Sequence, residues 1–141
     1  MEHTHSTTYD YIIAGAGCAG LSLLYRILME CSISTKKILV VDRERKTTND
    51  RTWCFWEKAE NLFQPIVCHE WSKLNFNADN YCDTFDIYPY KYKMIRAKQF
   101  YEYVYALAQK HENVEFVYEN IVDIYNNNNN MAELETTKNC Y

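Results

Sequence analysis

All three glycines of this 141-residue chain stand together, in the run Gly15-Ala16-Gly17-Cys18-Ala19-Gly20. In a G-x-G-x-x-G pattern the first glycine makes a tight turn out of a strand. The second lets the backbone approach a pyrophosphate, and the third lets the following helix pack closely on that strand. Each role needs the missing side chain. A helix beginning here would also aim its free N–H groups and positive dipole end at an anion. Asp42 follows 22 residues after Gly20, near the ~20 at which an acid accepts hydrogen bonds from a ribose. Gly15, Ala16, Gly17, Ala19 and Gly20 in the loop, with Asp42 and Arg43 at the acid, are therefore candidate cofactor contacts. Arg51 and Arg96 join them because guanidinium forks suit phosphate oxygens. A packing turn with a solvated Asp42 is the plain alternative. It leaves unexplained why a glycine-poor chain puts every glycine here.

The elements around these residues fit a β-α-β unit. The β-prone run Tyr9-Asp10-Tyr11-Ile12-Ile13-Ala14 ends in glycine, and Leu21, Leu24, Tyr25 and Leu28 then follow at helical spacing. Ile38-Leu39-Val40-Val41 is a continuous apolar run of the kind found in strands covered on both faces. From Arg43 to Asp50 the chain is polar and reads as a surface connection into the aromatic block Trp53-Cys54-Phe55-Trp56. Lys73–Phe76, Thr84–Tyr88 and Tyr92–Ile95 read as further strands, and Phe100, Val104, Leu107 and Ala108 predict a helix from about Ala97 to Lys110. Val114–Val117 and Ile121–Ile124 read as two more strands. The fold class expected is α/β: a Rossmann-like FAD/NAD(P)-binding domain with a central parallel sheet and a β-meander, truncated. Residues 1–8 are expected to be a disordered N-terminus and residues 9–125 the domain. The asparagine run from Asn126 to Asn130 and the polar residues to Tyr141 are expected to be a linker and tail.

Composition excludes several classes. A formal charge of −4 supplies no positive field for nucleic acid. The longest apolar runs fall far short of the ~20 residues that cross a bilayer. Met1–Thr8 lacks the basic start and apolar core of a secretory signal, so cytoplasmic synthesis is expected. Cys18, Cys31, Cys54, Cys68, Cys82 and Cys140 show no C-x-x-C spacing, and reduced thiols are expected rather than a metal site.

FAD and NAD share the glycine fingerprint, which leaves both open. A simple NAD domain would continue with alternating helices and strands. The long aromatic and strand-like stretch after Asp42 favours FAD.

Tyr11–Leu23, the strand ending Val40-Val41-Asp42, and Asn49-Asp50-Arg51-Thr52-Trp53-Cys54-Phe55-Trp56-Glu57 together resemble the N-terminal part of bacterial lycopene β-cyclases, the Arg-Thr-Trp-Cys-Phe-Trp block most specifically. Tyr92–Tyr101 resembles the segment that opens the first long helix of that family. The resemblance implies an FAD-dependent, redox-neutral closure of lycopene end groups to β-ionone rings, with NAD(P)H reducing the flavin. Reduced flavin would stabilise a carbocation electrostatically in a dry, preorganised site. It implies that Gly15, Gly17, Gly20 and Asp42 hold FAD, with Arg96 a weaker contact, and that the aromatic block lies near the cofactor or an apolar substrate cavity. Plain core packing is the other reading of that block. Family members are more than twice this length, and their proton-supplying acidic motif lies in the C-terminal half. The chain thus reads as a fragment, inactive by itself, with no catalytic residue assigned. Glu57, beside the shared block, is expected to be solvated. The substrate implied is lycopene, with peripheral membrane contact. Two alternatives stand beside this reading: another FAD-dependent oxidoreductase of the same fold, such as a monooxygenase or prenyl reductase, and a non-catalytic nucleotide-binding module.

Overall fold

The computed structural model describes residues 8–30 and 35–141. Most of the expected disordered N-terminus, and Cys31, lie outside the described residues. In chain order the elements are β1 (Tyr11–Ala14), α1 (Cys18–Met29), β2 (Ile38–Asp42), β3 (Thr52–Glu57), β4 (Val67–Trp71) and β5 (Lys73–Ala78). There follow β6 (Tyr81–Asp86), β7 (Lys91–Arg96), α2 (Ala97–Ala108), β8 (Val114–Tyr118), β9 (Ile121–Asn126) and β10 (Ala132–Thr136). The chain forms two compact units, one of residues 47–103 and the other of the residues before and after, so the division falls within α2.

The first unit is built on a parallel sheet in the order β1-β2-β8. Ile38 to Val41 of the middle strand are buried throughout, which explains why β2 reads as an unbroken apolar run instead of an alternating one. Parallel neighbours need crossovers: α1 connects β1 to β2, and the whole 47–103 unit with α2 lies in the connection to β8. The Rossmann-like α/β class expected from the sequence is the one observed. Leu21, Leu24 and Tyr25 form the buried face of α1, and Val104, Tyr105 and Ala108 that of the end of α2. Tyr105 packs edge-on against Phe116 of β8, ring centroids 5.3 Å apart.

Residues 126–141 differ from the linker and tail expected. Asn127 to Asn130 make the turn of an antiparallel hairpin of β9 and β10, and the backbone of Asn127 pairs with that of Met131. Leu134 is buried against Leu39 and Val41, with Tyr141 packed beside them. One leucine and one tyrosine in a polar stretch are enough to anchor a strand when the sheet offers an apolar surface. Local composition does not show that surface.

In the second unit β7 lies between β3 and β4, antiparallel to both, and β5 and β6 form a separate two-stranded hairpin. The strands are therefore not in the consecutive order of a β-meander. β7 carries the buried residues of this sheet, Lys93 and Ile95, whereas β3 and β4 are at most half-buried. The strand with the buried residues takes the centre, where both of its edges are paired. Lys93 is 2% exposed, and its ammonium donates to Glu57 at 2.9 Å and to Gln64.

The aromatic block is split by the alternation of β3. Trp53 points to α2, with ring centroids 5.3 Å from Phe100 and 5.8 Å from Tyr101. Trp56 lies on the other face, 50% exposed, against Tyr92 at 4.9 Å. Core packing thus accounts for Trp53 but not for Trp56.

Candidate functional site

The candidate site is the corner where β1 ends and α1 begins. Gly15 has φ +103°, a left-handed conformation open to glycine at little cost. Its N–H donates to the Val41 carbonyl at 2.7 Å, which stitches the turn to β2. A Cβ on Gly20 would overlap the Gly15 carbonyl oxygen and press on Ile13. The third glycine therefore permits the close approach of helix to strand that the pattern requires. Gly17 differs: a Cβ built there meets nothing within 4 Å. Among the described residues no packing explains a glycine at this position. A bulky group held outside the loop would.

Gly17 is the N-cap of α1, and no side chain caps the helix. Its carbonyl accepts the first intrahelical bond, from Leu21 at 3.0 Å. The first-turn amides ahead of Leu21 precede any such bond, and with the helix dipole they make a donor set suited to an anion. Ala19 lies exposed in this turn, and Ala16 is buried.

Asp42, at the end of β2, reaches back to the same corner. Its Oδ2 accepts the Ala16 N–H at 2.8 Å. Its Oδ1 accepts the Glu44 N–H at 3.3 Å and faces the Lys46 ammonium at 3.1 Å. Burial pushes the carboxyl pKa up, but the Ala16 amide, the Lys46 ammonium and the Glu44 amide outweigh burial and hold it below the usual carboxylate value. Asp42 is thus an ionised acceptor fixed to the glycine loop.

Around it stand groups that sequence reading did not single out. Tyr118 pairs with Asp42 in the parallel register and is hydrogen-bonded to Tyr105. The Tyr105 hydroxyl accepts the Lys46 N–H at 3.4 Å, and the Arg45 guanidinium lies 5.1 Å from its ring centroid. Burial raises the Tyr105 pKa to about 12 even with these cationic and amide neighbours. Only the spacing of Asp42 and Lys46, four residues apart, hinted at a contact, and in a segment with no helical pattern that spacing carried no weight.

The remaining candidates are placed differently. Arg43 is exposed and pairs with Glu44 at 3.4 Å. Arg51 and Arg96 belong to the second unit. There Thr52 pairs with Arg96, and the Arg51 carbonyl accepts the Ala97 N–H at 3.0 Å. The two arginines are brought to each other's strand ends, and Arg51 also faces Asp50 at 3.5 Å. Glu57 is not solvated as expected: its ion pair with Lys93 leaves it 20% exposed.

The donor set and the open side of Gly17 fit the pyrophosphate of a dinucleotide, and Asp42 fits its ribose. Gly15, Gly17, Asp42 and the first turn of α1 are the residues that would hold such a group. Comparison with known proteins agrees at the level of fold. The family model described as lycopene cyclase protein matches residues 10–139. No curated protein sequence matches. Among solved structures, PqsL of Pseudomonas aeruginosa, a probable FAD-dependent monooxygenase, superposes with a TM-score of 0.68 at 12% identity over 92% of this chain. The p-nitrophenol 4-monooxygenase PnpA of Pseudomonas putida gives 0.67 at 13% identity over 93%. CtdE, solved in complex with FAD, gives 0.59 at 14% over 96%. This chain spans 38%, 37% and 36% of those chains respectively. Among the described residues no helix is long and apolar enough to cross a membrane.

Proposed function

This chain belongs to the lycopene cyclase protein family, and on that premise we propose that it is the FAD-binding N-terminal portion of a lycopene β-cyclase. The observation that carries the reading is the Asp42 carboxylate held on Ala16 of the glycine loop, beside a Gly17 with open space where its side chain would be. Gly15 turns the backbone, Gly17 and the first-turn amides of α1 would face the pyrophosphate, and Asp42 would accept from the ribose. Gly20 sets how closely α1 approaches β1. Arg51 and Arg96, in the second unit, carry no part of the proposal. When bound and reduced by NAD(P)H, the flavin would supply electrostatic stabilisation of the cation formed during redox-neutral ring closure. The substrate proposed is lycopene, an apolar polyene that dissolves in lipid, and a peripheral membrane contact of a cytoplasmic protein goes with it.

A second reading is favoured by the monooxygenase structures that share the fold: an FAD-dependent oxidoreductase acting on a different substrate. The two differ in product. Expression of a full-length protein carrying this portion in lycopene-accumulating cells should yield pigments of unchanged mass with cyclised ends. An oxygenated pigment, or unchanged lycopene from a protein that retains flavin, would overturn the cyclase assignment.

A further inference from the structure

We infer that Lys46 is a positioning residue of the nucleotide site, keeping Asp42 ionised when an adenosine ribose covers it. The inference rests on the reading of this corner as an ADP-binding site. Asp42 and Lys46 are a part-buried pair, their side chains 12% and 18% exposed, with Nζ and Oδ1 3.1 Å apart. A carboxylate has about four acceptor positions. Ala16 takes one on Oδ2, and Glu44 and Lys46 take those on Oδ1, which leaves a position on Oδ2 for a sugar hydroxyl.

A ligand in that position removes water from a carboxylate that lies close to its own phosphates. Both effects favour protonation, and a protonated acid is a poorer acceptor for the ribose. The charged and titratable groups facing Asp42 among the described residues are few. Its own loop supplies Lys46 and Arg45, the end of α2 supplies Tyr105, and β8 supplies Tyr118. The glycine loop offers only the Ala16 amide. Arg45 is engaged over the Tyr105 ring, and neither tyrosine is a cation. Lys46 is therefore the cation that directly offsets the desolvation of Asp42.

The test is the binding of ADP and FAD to the full chain, followed by calorimetry and flavin fluorescence from about pH 8 into mild acid, because a carboxyl that loses its cation and its water takes up a proton more readily. Wild type should bind with a flat pH profile. Lys46→Met should bind about five- to tenfold more weakly at the acid end than at pH 8, with proton uptake on binding, while Lys46→Arg keeps the flat profile. On an Asp42→Asn background, Lys46→Met should add no further pH dependence. A flat profile in Lys46→Met with unchanged affinity, or the same loss in both backgrounds, would overturn the role. A wild-type chain that binds neither ADP nor FAD would instead sink the nucleotide-site reading.

Discussion

Asp42 Oδ2 accepts the Ala16 N–H at 2.8 Å, so the acid closing β2 and the loop leaving β1 form one hydrogen-bonded corner. A parallel pairing of β1 with β2, in register from Tyr11 opposite Ile38 to Ala14 opposite Val41, brings the two ends together.

That corner separates two kinds of glycine. At Gly17 a Cβ meets nothing within 4 Å among the described residues, so Gly17→Val should leave the fold intact and remove flavin, because the branched side chain would take the path of the pyrophosphate. Purified variant with a wild-type circular dichroism spectrum and no flavin absorbance is the expected outcome; unchanged flavin content would contradict it.

Gly20 should behave in the opposite way. The overlap of its Cβ with the Gly15 carbonyl involves backbone on both sides and cannot be relieved by a rotamer. Gly20→Ala should destabilise the chain by about 1–3 kcal/mol, as overpacking of a tight contact does. Urea unfolding with unchanged slope and a lower midpoint would show it.

Asp42 makes acid stability specific. Its folded pKa lies below the ordinary value, so its contribution is fully present above the unfolded value of about 3.9 and is lost as pH falls through the folded one. Asp42→Asn should therefore melt lower than wild type near neutral pH, with the two melting curves converging in acid. Parallel curves down to about pH 2.5, below the unfolded carboxyl range, would refute a folded-state origin.

The two tryptophans of β3 should differ sharply. Trp53 lies edge-on to Phe100 and Tyr101, and Trp53→Ala should cost about 2–3 kcal/mol. Trp56 is half-exposed, and Trp56→Ala should stay within about 1 kcal/mol. Equal midpoint shifts in denaturant would show that the aromatic block packs as a unit, against the alternation seen here.

The glycine corner is legible in the chain's residue types and spacing, because the turn, the close approach and the strand end it requires are each set locally. A backbone turn with φ +103° at Gly15, a close approach at Gly20 and an apolar middle strand ending in an acid are properties of residue type and spacing. The strand and helix periodicities placed most elements within a few residues for the same reason. What depends on distant partners came only with the packed fold. It put β7 between β3 and β4 and turned the polar tail into β10 by offering Leu134 the surface of Leu39 and Val41. It also brought Lys46, Tyr105 and Tyr118 around Asp42 from three separate segments. Long-range pairing energy is set by complementary surfaces, and no window of sequence contains both halves of such a surface.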